Sequence, residues 1–113
     1  MESQVEYNKE RSELLNKFIK TMPSLMAPLN TVLDEVYKDG ELSKKIKRLI
    51  SLAVALKGGT TNCILAQTMH ALEAGAGKEE ILETLSVVVA MNGTAGVAES
   101  LRVIKLLDEL GKL

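Results

Sequence analysis

The residue types best suited to chemistry lie together in one stretch, residues 58–75, which reads GGTTNCILAQTMHALEAG. It contains the only cysteine of the chain, Cys63, and the only histidine, His70. A thiolate is a nucleophile, and a histidine side chain exchanges protons near neutral pH. Nothing elsewhere in the sequence competes with this stretch as a candidate functional site.

The local sequence predicts that Cys63 lies in the first turn of a helix. Gly58 and Gly59 end the preceding apolar segment, because glycine readily adopts the left-handed backbone angles found at helix C-termini. Thr60 or Thr61 can then cap the next helix through its hydroxyl. The helix dipole at that end favours a thiolate. The competing interpretation is a small packing residue, because free cysteine is among the most buried residue types.

Two polar residues follow Cys63 on the same predicted helix face. Gln67 and His70 come four and seven residues later, which is helical spacing. His70 lies about 10 Å along the axis from Cys63, at roughly 1.5 Å per residue, which is too far for direct proton exchange. Because His70 lies amid apolar residues, we expect a packed, hydrogen-bonded histidine. Gln67 can orient a water molecule or a substrate but cannot act as a base, and the alternative interpretation is a solvated or capping amide. One Cys and one His make no ligand cluster, so no metal or cofactor is predicted.

Helical periodicity surrounds this stretch. It predicts about six helices. The first spans 3–21, the second has Pro28 in its first turn and runs to about 37, and the others span 43–56, 60–75, 78–91 and 94–110. Pro23 is predicted to break the first helix, whose first two turns are polar and expected to fray. Ser43 is the predicted N-cap of the third helix. Asn92-Gly93 predicts the last break.

Two apolar runs leave a β alternative open. LISLAVAL (49–56) and LSVVVAM (85–91) have the length of strands, and periodicity alone does not separate a buried strand from a buried helix. As strands they would give a β-α-β-α order around GGTTN, which matches neither glycine-rich phosphate-binding motif. Their helical flanks extend both segments past a typical strand length. The residues therefore favour an all-α fold.

Composition narrows the class of protein. The chain has 113 residues and a net charge of -1, which predicts a single domain over residues 1–113. There is no basic stripe, so nucleic-acid binding is not expected. No apolar run approaches the roughly 20 residues of a membrane span. The polar N-terminus and the lone cysteine predict a cytoplasmic protein. Two helices that are apolar on all sides are hard to enclose in one short chain, which predicts a homo-oligomer.

Three segments resemble the core of the carboxymuconolactone decarboxylase-like family, which includes the alkylhydroperoxidase D (AhpD) proteins. They are LSKKIKRLISLAVAL, NCILAQTMHALEAGAGKEEILETL and MNGTAGVAE, and the resemblance spans about residues 42–110. It implies an all-α helical bundle that assembles as a trimer or hexamer, and it favours helices for both apolar runs.

The resemblance reproduces only part of the catalytic pattern of AhpD-like peroxidases. That pattern is a Glu, a C-x-x-C and a His four residues after the second Cys. The paired thiols reduce peroxide through a disulfide, and the Glu and His assist proton transfer. Cys63 matches the second Cys, whereas Thr60, Gln67 and Arg48 stand at the positions of the first Cys, the His and the Glu. The disulfide cycle therefore cannot run within one chain.

Two functions are predicted on this basis. The first is a thiol-dependent peroxidase-like oxidoreductase, with altered or weakened peroxiredoxin-type activity, in which Cys63 attacks the peroxide and an external thiol restores it. The alternative is a non-redox small-molecule binding protein, or a carboxymuconolactone decarboxylase-like lyase, that uses the same pocket. In that case Gln67 and Arg48 would hold an anionic ligand. We expect Thr60, Gln67, Arg48 and His70 to surround the pocket of Cys63.

Overall fold

The computed structural model describes all 113 residues and contains helices without any strand. The elements are α1 (Gln4–Thr21), α2 (Pro23–Val36), α3 (Lys44–Gly58), α4 (Thr61–Glu73) and α5 (Lys78–Glu109). The predicted all-α fold is confirmed, and the strand alternative is wrong. The two apolar runs, 49–56 and 85–91, lie inside α3 and α5.

The fifth helix contains the break predicted at Asn92-Gly93. Gly93 has φ 60° and ψ −140° within α5, backbone angles that essentially only glycine adopts. A Cβ built on Gly96 would lie only 2.9 Å from the carbonyl oxygen of Val88. Residues eight apart in a straight helix are separated by about 12 Å along its axis, so the chain folds back at Gly93. The two segments of α5 counted separately give the predicted six helices.

The length and apolar composition of α5 would allow it to cross a membrane. The kink at Gly93 divides it into residues 78–92 and 94–109. Each segment is shorter than the roughly 20 residues that a helical span needs. The absence of a membrane partner stays a prediction.

The second helix begins earlier than predicted. Pro23 is the first residue of α2, a position where its missing N–H would be unpaired anyway and its fixed φ suits the helix. Pro23 therefore ends α1 and starts α2 at once. Pro28 was expected in the first turn but lies inside the helix, where it removes one backbone hydrogen bond.

The polar first turns of α1 were expected to fray, and this expectation is wrong. Ser3 caps the helix by accepting from the N–H of Glu6. Glu109, at the end of α5, accepts from the hydroxyl of Ser3 and from the backbone N–H of Gln4 at 2.5 and 2.7 Å. Gln4 is fully buried. Hydrogen bonds to Glu109 at the end of α5 therefore hold the first turn of α1 in place.

The core lies among α3, α4 and α5, with α1 packed on α4 and α5. The second helix, α2, packs against α1, and the carbonyl of Val36 at its end accepts from Nζ of Lys47 on α3 at 2.8 Å. The only residue that α2 buries is Met26. Its remaining large apolar side chains are exposed and form what we call the α2 stripe: Leu25, Leu29, Val32, Leu33 and Val36.

The two apolar helices predicted to need full burial are not enclosed by the single chain. On α3, Ile50 and Val54 are exposed, and on α5 Val87 and Met91 are exposed, the last at 85%. Only 19 of the 113 residues are buried. These uncovered faces are what the predicted homo-oligomer would have to cover.

Candidate functional site

The start of α4 sets the position of the thiol. Gly59 has φ 69° at the C-cap of α3, and Thr60 is the N-cap of α4. Cys63 is the third residue of α4, so it lies in the first turn as predicted. The hydroxyl of Thr60 makes no capping hydrogen bond, contrary to expectation. The side chain of Cys63 is exposed and not packed in the core.

Cys63 lines a groove of about 370 Å³ between α1 and α4, which we call the Cys63 groove. Its lining residues are Arg11, Leu14, Leu15, Phe18, Asn62, Cys63, Ala66 and Gln67. A groove of this size is at the lower end of the range of small-molecule sites. Apolar side chains from α1 face polar groups near the thiol, an arrangement that suits a small ligand with an apolar part and a polar head.

Arg48 on α3 contacts the groove through Gln67. Its Nη1 donates to Oε1 of Gln67 at 3.2 Å, and both side chains are half-buried. The two residues that stand at the family's Glu and His positions are therefore hydrogen-bonded neighbours. Arg48 itself does not line the groove but faces a second depression with Tyr37 and Lys44.

A second layer of contacts holds Arg48 in place. Its guanidinium carbon lies 3.4 Å from the centroid of the Tyr37 ring, within the range of a cation–π interaction. The hydroxyl of Tyr37 is 2.5 Å from Oγ of Ser51. Ser51 donates in turn to the carbonyl of Lys47, so the Tyr37 hydroxyl is the donor of the shorter bond.

His70 lies outside the Cys63 groove. Its Nδ1 is 3.5 Å from Oε2 of Glu73, one turn further along α4. Burial lowers the pKa of His70 below its ordinary value of 6.5, and the positive charge of Arg48 lowers it further, whereas Glu73 opposes the shift. No group of three His, Cys, Asp or Glu side chains could hold a metal ion.

Sequence reasoning missed the part of the groove formed by α1. Leu14, Leu15 and Phe18 have the helical spacing of one apolar face, but no signal in the sequence shows that this face lies beside α4, because the contact is non-local. Sequence reasoning also missed Arg11, whose Nε donates to Oδ1 of Asn8 at 2.9 Å. Arg11 forms no ion pair with a carboxylate, so it brings a positive charge to the groove.

These features define an all-helical protein with an exposed thiol at a helix start, beside an amphipathic groove. The sequence model of the carboxymuconolactone decarboxylase family matches residues 23–106, and the chain belongs to this family. The match begins earlier than the resemblance at residues 42–110, so it includes α2.

Two solved structures are similar to the fold. One is an apo carboxymuconolactone decarboxylase family protein from Legionella pneumophila, with a TM-score of 0.86, 31% identity and coverage of 94% of this chain and 95% of that one. The other is the protein TM1620 from Thermotoga maritima, with a TM-score of 0.73, 28% identity and coverage of 95% and 91%.

Two further relatives are similar in sequence. An uncharacterized protein of Cupriavidus necator is 29% identical over 91 residues, 80% of either chain. Uncharacterized protein 4 in the cox locus of Paracoccus denitrificans is 35% identical over 75 residues, which cover 66% of this chain and 68% of the relative.

Proposed function

We propose that this chain is a one-cysteine, thiol-dependent peroxidase-like oxidoreductase that acts at Cys63. The observation that carries the proposal is the exposed thiol in the first turn of α4, beside a groove that could hold a small substrate. Four positions of the family pattern support thiol peroxidase chemistry, and Cys63 is the one at which this chain keeps the family's residue. Partial positive charge at a helix N-terminus supports attack by a thiolate.

The reaction of Cys63 is a two-electron exchange. The thiolate sulfur attacks one peroxide oxygen, an S–O bond forms and the O–O bond breaks. The departing oxygen takes a proton from water and leaves as an alcohol or as water, and the cysteine is oxidised to a sulfenic acid. Because the chain has no second cysteine, an external thiol condenses with the sulfenic acid and releases water. A second equivalent of that thiol then reduces the mixed disulfide.

The substitutions around Cys63 support a weakened activity. Gln67 and Arg48 replace a His and a Glu that would transfer protons, and neither an amide nor a guanidinium does so near neutral pH. A positioned acid or base typically contributes about 10²- to 10⁴-fold to a rate. A turnover slower than that of two-cysteine members by at least one such factor is therefore expected.

The Arg48–Gln67 hydrogen bond favours a second candidate, a non-redox role in the same groove. A site with the positive charge of Arg11, which no carboxylate pairs, and the amide of Gln67 can hold an anionic small molecule without using the thiol. The chain would then be a binding protein or a carboxymuconolactone decarboxylase-like lyase.

Peroxide-dependent loss of the Cys63 thiol separates the two functions. The wild-type protein and Cys63→Ser are incubated with peroxide, with and without added small thiol, and analysed by intact mass spectrometry and peroxide consumption. The peroxidase proposal expects one added oxygen on wild type alone, reversed by the thiol. Equal peroxide consumption by both proteins would leave only the non-redox role.

A further inference from the structure

The hydrogen bond from Arg48 fixes which end of the Gln67 amide is free. A guanidinium has donors and no acceptor, so the atom of Gln67 that faces Nη1 of Arg48 has to be the carbonyl Oε1. The other end, Nε2, then carries two N–H donors. Nε2 donates to no protein acceptor, and it is not among the buried polar atoms that lack a partner. These donors are therefore accessible, on a residue that lines the Cys63 groove.

The position of Arg48 is itself fixed from behind. Its guanidinium lies over the Tyr37 ring at 3.4 Å from the centroid, and the Tyr37 hydroxyl is hydrogen-bonded to Ser51. Nε of Arg48 is buried and has no hydrogen-bond partner. The contact with the Tyr37 ring therefore supports the guanidinium in this orientation, and the bond to Gln67 is the only hydrogen bond it makes to a protein acceptor.

We propose that Arg48 is a positioning residue, which holds the Gln67 amide with its N–H donors available to the Cys63 groove. The groove then selects ligands that present an acceptor oxygen beside the thiol, such as a carbonyl, a carboxylate or a peroxide. The other polar side chains of the groove, Arg11 and Asn62, are compatible with such an oxygen. Glu10 is the carboxylate nearby, and it lines the adjoining depression with Arg11 and Asn62.

This inference rests on the proposed use of the Cys63 groove but not on peroxide chemistry, so it is tested by alkylation. Iodoacetamide carries a carbonyl acceptor, and iodoethane carries none. The ratio of their rates with Cys63, normalised to the ratio for free glutathione, reports the donor. Changes in thiolate fraction or general exposure move both rates together, so a merely structural effect leaves the ratio unchanged.

The variants are Gln67→Leu, Arg48→Met and the pair, each checked for folding by thermal unfolding. Gln67→Leu is expected to lower the ratio by about 2- to 10-fold, the value of one ordinary hydrogen bond. Arg48→Met should lower it comparably, because the amide is then free to turn. The pair should show no further fall beyond Gln67→Leu alone, which is the non-additivity of residues that act through one contact.

Lys45→Met is the matched control, because it removes a positive charge from α3 at a residue that pairs with Glu80 instead. It should leave the ratio unchanged. If Arg48→Met does not fold, Tyr37→Leu takes its place, since it removes the support of the guanidinium and leaves Gln67 intact. The positioning role is overturned if the Arg48 or Tyr37 variant leaves the ratio unchanged. It is also overturned if Arg48→Met lowers the ratio as much in the Gln67→Leu protein as it does in wild type. These results hold whether or not peroxide is consumed.

Discussion

His70 is a residue whose chemistry the fold changes without bringing it into the groove. Burial and the charge of Arg48 lower its pKa below 6.5, against the opposing effect of Glu73. Between the folded pKa and 6.5 the unfolded chain therefore binds more protons than the folded one. The stability linked to His70 is present above pH 6.5 and is lost as the pH falls through the folded pKa.

The loss of folding stability at acidic pH should therefore depend on His70. Between pH 7.5 and 5, His70→Gln is expected to lose less thermal stability than wild type, because the substituted side chain does not bind a proton. Proton NMR of the single histidine ring gives the pKa directly, and Glu73→Gln should lower it further. A pKa at or above 6.5 in the wild-type protein would contradict the electrostatic account.

The family pattern can be tested by restoring it. Arg48 and Gln67 are hydrogen-bonded, so a Glu and a His introduced at these positions should also meet. Thr60→Cys adds a thiol three residues before Cys63. We expect the triple variant Thr60→Cys, Arg48→Glu, Gln67→His to gain peroxide turnover by about 10²-fold or more, as positioned acids and bases typically provide.

Coupled peroxide consumption with a dithiol reductant measures the gain. The double variant Arg48→Glu, Gln67→His is the control, because it lacks the second thiol and should not form an intramolecular disulfide. A triple variant that folds and stays inert would mean that the alignment of these positions, or the groove, is wrong.

At the level of the helix, the Gly93–Gly96 segment decides how α5 folds back. Gly96 touches the backbone of Val88 and Val89, at 2.9 to 3.2 Å from where a Cβ would be, so a methyl group there meets atoms that cannot turn aside. Lys57 also donates to Oδ1 of Asn92 at 3.0 Å, which ties the kink to α3.

Gly96→Ala is expected to destabilise the fold by about 1–3 kcal/mol, the usual effect of overpacking a close contact. Gly58→Ala is the matched control. Gly58 is also helical, but nothing lies within 4 Å of a Cβ built there, so the same added methyl should be neutral or slightly stabilising. Urea denaturation measures both. Equal stabilities of the two variants would show that the two segments of α5 are not in close contact.

The ends and kinks of these helices can be predicted from the sequence where the residues that cause them lie at the same place in the chain. Gly59, Pro23 and Gly93 act through their own backbone angles, so the ends of α3 and α1 and the kink of α5 could be read from the sequence. The ordering of the first turns of α1 could not, because Glu109 lies about a hundred residues away along the chain.

The candidate site divides in the same way. The first-turn position of Cys63 is local and was predicted. The contact between Arg48 and Gln67 was available only through the family resemblance, which aligned both positions with catalytic residues. Two other parts of the site depend on how separate segments pack: the contact of Tyr37 with Arg48 and the wall of the groove formed by α1. Helical periodicity within one segment does not predict such contacts.

On the scale of the whole molecule, a single chain leaves much apolar surface exposed to solvent. The α2 stripe lies on a helix that buries a single residue, Met26, and other exposed apolar side chains lie on α3 and α5. Each large aliphatic side chain gains about 1.5–3 kcal/mol when it is fully buried. A second copy of the chain offers the same surfaces in return, which is how a symmetric oligomer covers them.

Assembly should therefore depend on the α2 stripe. Multi-angle light scattering of the wild-type chain is expected to give a multiple of 12.3 kDa, three- or sixfold if the family resemblance extends to its assembly. Leu29→Glu places a charge in the stripe, so it should lower the mass. Far-UV circular dichroism should change little, since Leu29 is outside the core. Ala27→Glu adds the same charge to the opposite side of α2, at 3.6 residues per turn, and should assemble like wild type. A wild-type monomer, or equal masses for the two variants, would remove the stripe as an interface.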